Sequence, residues 1–325
     1  MFSRKIKLIK VYGWIYTIRY FYKILLLIAF RFFRIKYIKT RIYNFEMYLI
    51  SHDIGISQAL VLYGEREQQL KYILDNEIKP GYRIIDLGAN LGYYPLIEYQ
   101  SLEGRGKIYA LEPSPDNIKT LKKNIELNNA ENIIDVYPYA GGEKQGVEKF
   151  YLSTHSNVNT MLPTEFTTGK PSKGVKGNFI NVEVIELSSF IEKNGNVDLI
   201  RMDIEGYEVE VLKGLTKAIE NNLFSGQIVF ECHSPKYDDN KHSIRKQIKM
   251  LFDNNYYVKY MTSNREHNNP FISRNYKPIK VVRTSVVNTQ GIYKNISNED
   301  AEYFICESLG VRDVFFEKKS SRQLL

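Results

Sequence analysis

A chain of 325 residues, 43% of them apolar, can bury a sizeable core as one large α/β domain or two small ones, and reads as a globular protein with attachments. Its two cysteines, Cys232 and Cys306, have neither metal-ligand spacing nor disulfide-framework density, so a reducing compartment and a cytosolic catalytic domain are expected. The net charge of +8 is uneven: residues 1–45 hold eleven Lys or Arg and no Asp or Glu, leaving 34 basic and 37 acidic groups elsewhere.

Residues 1–45 also carry Trp14, many Tyr and Phe between Tyr12 and Phe33, and the apolar run Ile24 to Phe30. Arg19, Lys23 and Arg31 interrupt any uncharged stretch near the roughly 20 residues that span a bilayer, so a transmembrane helix is not expected. A small-residue cleavage site after Phe30 is also missing, which weakens a signal-peptide reading. Basic residues interleaved with aromatics suit an anionic membrane surface, where each basic residue contributes about 1 kcal/mol. The expectation is a basic aromatic helical arm, peripheral on the cytoplasmic face of the membrane. Packing on the core, or binding nucleic-acid phosphates, would use the same composition.

From Glu46 to Pro80 the pattern predicts a helical lid or flank, with Leu60, Leu62, Leu70, Ile73 and Leu74 apolar and Lys79-Pro80-Gly81 as the stop. Strand 83–87, helix 92–101, strand 107–111, helix 115–128 and strand 133–138 then alternate as in a parallel sheet. The first strand opens into Asp86 to Gly92, DLGANLG, where glycine permits a tight turn that brings backbone N–H groups to a ligand. The glycines fall as GxxxG rather than the dinucleotide GxGxxG, and a GxxxxGK[ST] loop is lacking. Glu112, twenty-six residues after Asp86, ends the second strand, where its two oxygens could accept both ribose hydroxyls. Alternatively it caps the helix starting at Ser114-Pro115.

Ala140 to Gly146 reads as a turn, and the polar stretch 153–178 as a substrate-covering or disordered loop. A short strand 182–186, a helix 188–193, strand 198–202, helix 208–221 and strand 227–230 follow. Helix 242–253 leads to strand 256–260, an irregular 261–278, and strand candidates 281–287 and 313–316.

Three segments carry a family resemblance: DLGANLGYY, YALEPSPDNIKTLKKNIELNN, and IRMDIEGYEVEVLKG at Ile200 to Gly214. Over roughly residues 50–260 the chain resembles the FkbM family of S-adenosylmethionine-dependent methyltransferases. The resemblance implies a class I methyltransferase (Rossmann-like) fold, a doubly wound, mostly parallel seven-stranded sheet with helices on both faces. It also implies transfer to a hydroxyl oxygen, often of a sugar or secondary metabolite. Asp86 would lie beside the cofactor's amino-acid portion and Ala140 at the adenine edge, with Gly88, Asn90, Gly92, Tyr93 and Glu112 completing the cofactor set. Tyr93 and Tyr94 could also simply fill the first crossover. The expected organisation is arm 1–45, flank 46–80, cofactor-binding core 81–260, and an extension 261–325 completing the sheet.

Aligning donor and acceptor for an in-line displacement supplies several kcal/mol, and a neutral hydroxyl also needs a base or a metal. Asp203 and Glu205 follow the fourth main strand, Glu231 and His233 the fifth, each pair on one face of an extended backbone. His233, with an ordinary pKa of about 6.5, is the expected general base, oriented by Asp203, with Glu231 alongside. A divalent ion on Asp203, Glu205 and Glu231 is the alternative, since carboxylates suit Mg²⁺. Glu205 could instead cap the following helix. A glycan or lipid-linked sugar is the expected acceptor. Nucleic acid is disfavoured because DIEG stands where amino-methylating enzymes carry [NDS]PP[YF], and the near match Asn268-Asn269-Pro270-Phe271 lies elsewhere and lacks the second proline. A scaffold that kept the fold without the reaction is the remaining rival.

Overall fold

The chain was described as a computed structural model covering residues 2–153, 158–162, 175–267, 269–284 and 288–319, with backbone alone at 2–10, 12 and 175–178. It begins with helix α1 (Phe2–Phe32), broken at Gly13 (φ 82°), and a hairpin of β1 (Tyr37–Ile42) and β2 (Phe45–Ile50). Helices α2 (Ile56–Tyr63) and α3 (Gln68–Glu77) lead to the alternating unit β3 (Arg83–Leu87), α4 (Tyr93–Ser101), β4 (Lys107–Leu111), α5 (Pro115–Leu127) and β5 (Ile134–Tyr137). Three strands then form a separate small sheet: β6 (Tyr139–Gly142), β7 (Gly146–Ser153) and β8 (Val175–Glu186). Next come α6 (Leu187–Asn194), β9 (Leu199–Met202), α7 (Glu208–Glu220), β10 (Gln227–Glu231), α8 (Ile244–Asp253) and β11 (Tyr256–Ser263). The chain closes with α9 (Pro270–Ser273), β12 (Lys280–Arg283), β13 (Thr289–Tyr293), α10 (Asn298–Cys306) and β14 (Val311–Lys318).

The main sheet has nine strands in the order β12-β13-β11-β14-β10-β9-β3-β4-β5, parallel from β10 to β5 and antiparallel beyond β10. This corrects the expected seven, because the segment after β11 turns back and adds β12 and β13 at that edge. Residues along the parallel strands alternate between two cores. Ile85, Leu87 and Leu111 join the side covered by α6, α7, α8 and α10, while Ile84, Ile108 and Ala110 join the side covered by α2 to α5. Burial on both faces explains why these strands read as unbroken apolar runs.

Chain order reverses between β3 and β9, so the carboxyl ends of these neighbours open a crevice, the usual ligand position in such sheets. The hairpin corrects the helical reading from Glu46 onward: Phe45, Met47 and Leu49 are buried and alternate with more exposed residues. Ala140, read as part of a turn, sits in β6, paired with Val184 of β8. Within the near match to the amino-methylating motif, Asn269 caps α9 by accepting from Ile272 N–H at 3.1 Å, while Asn268 lies outside the described residues. Residues 285–287 of the strand candidate 281–287 lie outside them too.

Helix α1 rests on α2, with Tyr20 packed on Tyr63 at 5.8 Å between ring centroids and Arg31 Nη2 donating to Gln58 Oε1 at 2.8 Å. Its segment Gly13–Phe32 spans 20 residues at a mean hydropathy of 1.2, long and apolar enough to cross a membrane by length and composition. Lys23 lies at its middle, where a basic side chain in hydrocarbon costs about 2.5–3.5 kcal/mol or more.

Candidate active site

At the crevice the turn after β3 is folded tightly against the end of β9. Gly88 has φ 82°, and a Cβ there would lie 2.2 Å from the Asp203 carbonyl oxygen. Gly88 and Ala89 N–H both donate to the Leu111 carbonyl, tying the turn to β4 as well. Alanine at position 88 combines a left-handed backbone with this clash, so Gly88→Ala is expected to lower unfolding stability by more than about 1 kcal/mol in urea titrations.

Glu112 turns inward onto the bend. Its Oε2 accepts Asn90 N–H at 2.8 Å, and its Oε1 accepts Ser114 N–H at 2.9 Å and Asn117 Nδ2 at 3.2 Å. The carboxylate therefore serves the cofactor turn and the start of α5 together, so the capping alternative holds in part. Three of its roughly four acceptor positions are taken, leaving one on Oε2. A grip by both oxygens on two hydroxyls would need Asn117 to swing aside. Burial pushes the Glu112 pKa up to about 7 against those donors.

Gly88, Asn90, Tyr93, Glu112 and Ala140 line one cleft together with Asp203 and Glu205. Tyr139, Phe150 and Met161 give it apolar wall, and Asn159 and Met161 come from the polar stretch 153–178. Residues 154–157 and 163–174 of that expected covering loop lie outside the described residues. Tyr93 is fixed by its own hydroxyl, which donates to the Arg66 carbonyl at 2.6 Å.

Two of the expected cofactor residues stand back from the cleft lining. Asp86 is fully buried behind the cleft wall, its Oδ1 accepting from Arg201 Nη1 at 2.8 Å. Gly92 also lies behind the wall, where a Cβ would meet Leu121 at 2.8 Å, so it serves helix packing. Arg201 fills the space expected for Asp86: it lines the cleft, stacks on Tyr94 with 3.6 Å from guanidinium to ring centroid, and its Nη2 donates to Asp203 Oδ2 at 3.2 Å. Glu98 is buried near Asp86 with both oxygens lacking hydrogen-bond partners among the described residues, and burial, with the Asp86 charge, pushes its pKa well above the ordinary carboxylate value.

His233 is enclosed by carboxylates. It sits outside the cleft lining, with Nδ1 3.0 Å from Glu208 Oε1 and Nε2 3.5 Å from Glu205 Oε2 and 3.8 Å from Glu231 Oε1. Burial opposes its charge, but Glu208, Glu205 and Glu231 outweigh burial and push the imidazole pKa up to about 10. In its imidazolium form His233 has no lone pair for a substrate proton, which favours a carboxylate of the cleft as the proton acceptor. Its folded pKa lies above the ordinary value, so the stability it contributes is complete below pH about 6.5 and is lost as pH rises through about 10. Unfolding free energy should fall across that window in the wild type, and the fall should flatten in His233→Gln.

Glu231 is clamped by Arg312, whose Nη1 and Nη2 lie 2.9 and 3.1 Å from its two oxygens. Arg312 and Arg66 also hold Glu67, whose other oxygen accepts from the Tyr94 hydroxyl at 2.5 Å. Glu205 does not cap α7. It pairs with Lys236 at 2.7 Å, and Glu208 receives the Gly206 N–H instead. Ligand atoms of Asp203, Glu231 and His233 lie within 4.8 Å of one another. Arg312 pairs with Glu231, Arg201 with Asp203 and Lys236 with Glu205 at the same place, so a divalent ion would compete with these cations.

Reversed strand order, a glycine turn and a carboxylate on the next strand place the cleft where sheets of the doubly wound α/β class bind their ligands. A family model for the methyltransferase FkbM domain matches residues 86–264, and the chain belongs to that family. It is similar to Methyltransferase 1 of Beauveria bassiana, 27% identical over 146 residues, covering 41% of this chain and 57% of that protein. It is also similar to the hexuronic acid methyltransferase AglP of Haloferax volcanii, 25% identical over 171 residues, covering 52% of this chain and 63% of AglP. The matches thus span about three fifths of these relatives. The solved FkbM methyltransferase of Methylobacillus flagellatus aligns at 14% identity and a TM-score of 0.39, covering 73% of this chain and 52% of its own.

Proposed function

We propose that this protein transfers a methyl group from S-adenosylmethionine to a hydroxyl oxygen of a saccharide, in a glycan or on a lipid carrier. The observation that carries the reading is Glu112, held onto the Gly88–Asn90 turn with an acceptor position left on Oε2, in the same cleft as Asp203. Ala140, Tyr139 and Phe150 supply a wall for an adenine.

When bound, the sulfonium supplies an electrophilic methyl group. Glu112 would hold a ribose hydroxyl, and Arg201 would fix the Asp203 carboxylate in the cleft. Asp203 would accept the acceptor hydroxyl's proton, and burial, which raises its pKa, makes it a better base than an exposed aspartate. The sugar reading draws on the saccharide relative and on a cleft whose polar side combines Arg66, Glu67 and Glu205.

Calorimetric titration with S-adenosylhomocysteine tests the cofactor half. Binding should weaken about 10–100-fold in Glu112→Gln. It should also weaken below pH about 7, because hydroxyls donate to the ionised carboxylate, by about tenfold per unit. Binding independent of pH and unchanged in Glu112→Gln would refute this role. Mass spectrometry of glycans after incubation with S-adenosylmethionine, seeking the added methyl, tests the acceptor half.

A further inference from the structure

The arm carries a face that the fold leaves uncovered. Its inner side is bound to the domain: Thr17 and Leu27 are buried, Arg31 Nε donates to the Ser51 carbonyl at 2.7 Å, and Lys23 Nζ donates to the Leu62 carbonyl at 3.4 Å. The opposite side presents Trp14, Ile18, Tyr22, Leu25, Ile28 and Phe32, each more than half exposed. Spacings of three and four residues place them on one stripe, which runs about 27 Å at 1.5 Å per residue. Scattered apolar residues on a surface need no explanation, but a contiguous stripe marks an interaction site.

Charge identifies the occupant. Acidic residues do not occur before Glu46, whereas eleven basic residues do, and exposed Arg34 and Lys36 follow the stripe directly. We infer that α1 lies in the plane of a bilayer containing anionic lipids, with its apolar stripe at the acyl boundary and its basic residues at the phosphates. A second copy of the chain would set one excess of positive charge against another. A spanning orientation would carry Lys23 into hydrocarbon and strip Arg31 of Ser51 and Gln58. The docked arm also bears on the cleft, because α2, on which it rests, begins with the cleft-lining Ile56. Membrane attachment is nonetheless independent of whether methyl transfer is the reaction.

Trp14 is the chain's single tryptophan, so intrinsic fluorescence reports the stripe directly. Full-length protein is mixed with phosphatidylcholine vesicles with or without phosphatidylglycerol, and flotation is scored beside Trp14 emission. Phosphatidylglycerol vesicles should float the protein and shift emission to shorter wavelength, with both effects weakened by salt. Ile18→Asp and Leu25→Asp alter exposed positions, should melt at the wild-type temperature, and should each weaken partitioning about tenfold. Four results would each overturn the inference: no flotation, equal flotation by the variants, retention through alkaline carbonate extraction as for a spanning helix, or a solution dimer lost in the variants without vesicle binding.

Discussion

Asparagine in place of Asp203 is expected to lower kcat by about 10²–10⁴ while leaving the affinity for S-adenosylhomocysteine within a few-fold of wild type. Asp203 is the carboxylate at the end of β9 that both faces the cleft and lacks a committed bidentate partner, since Arg201 reaches it through one nitrogen at 3.2 Å. Burial raises its pKa and so raises its proton affinity toward what a hydroxyl's developing charge requires. Asparagine keeps the shape and removes the proton acceptor. The contrasting variant is His233→Gln, whose effect should fall mainly on pH-dependent stability, because the imidazolium stands outside the cleft among Glu205, Glu208 and Glu231. Equal losses of kcat in the two variants, or a loss in Asp203→Asn confined to KM, would remove Asp203 as the base. Rates would be measured under saturating cofactor so that kcat and KM separate.

Arg201→Leu should destabilise the fold by about 3–5 kcal/mol, read by urea denaturation. Arg201 is 2% exposed and is the cation for fully buried Asp86, whose Oδ2 lacks a hydrogen-bond partner among the described residues. Removing the guanidinium leaves that carboxyl and Asp203 in low-dielectric surroundings near buried Glu98, and also removes the stack on Tyr94. Asp86→Leu in the same chain should recover part of the loss, because an uncompensated carboxyl costs more than an apolar replacement for the pair. The double-mutant cycle would then give a coupling energy of at least 1 kcal/mol, and strict additivity would show that the ion pair contributes nothing specific.

Most of the sheet was legible because its signals are local. The runs RIIDL and KIYAL, the first containing Asp86 and the second followed by Glu112, marked β3, β4 and the crevice without knowledge of their neighbours. The hairpin was misread although FEMYLI alternates, since the apolar leucines of α2 and α3 beyond it dominated the period. The family implied a cofactor role for Asp86, but nothing adjacent disclosed that the cleft-lining Arg201 pairs with it. One signal was available: Arg201 is the lone charge in the otherwise apolar strand LIRM. The partner of His233 was not legible, because the helical pattern presents Glu208 only as an ordinary first-turn residue. Glu67, Arg66 and Arg312 were missed for a plainer reason. Glu67 and Arg312 touch across 245 positions of sequence, and no local pattern encodes such a contact.

The carbonyl lodged beneath Gly88 makes the glycine turn and the strand end bearing Asp203 a single mechanical part. On the proposed function, the spacing of cofactor and base is then set by backbone rather than by mobile side chains. Drift toward new acceptors would then be concentrated on the opposite wall, around Asn159 and Met161, where the lining can vary without disturbing that seam.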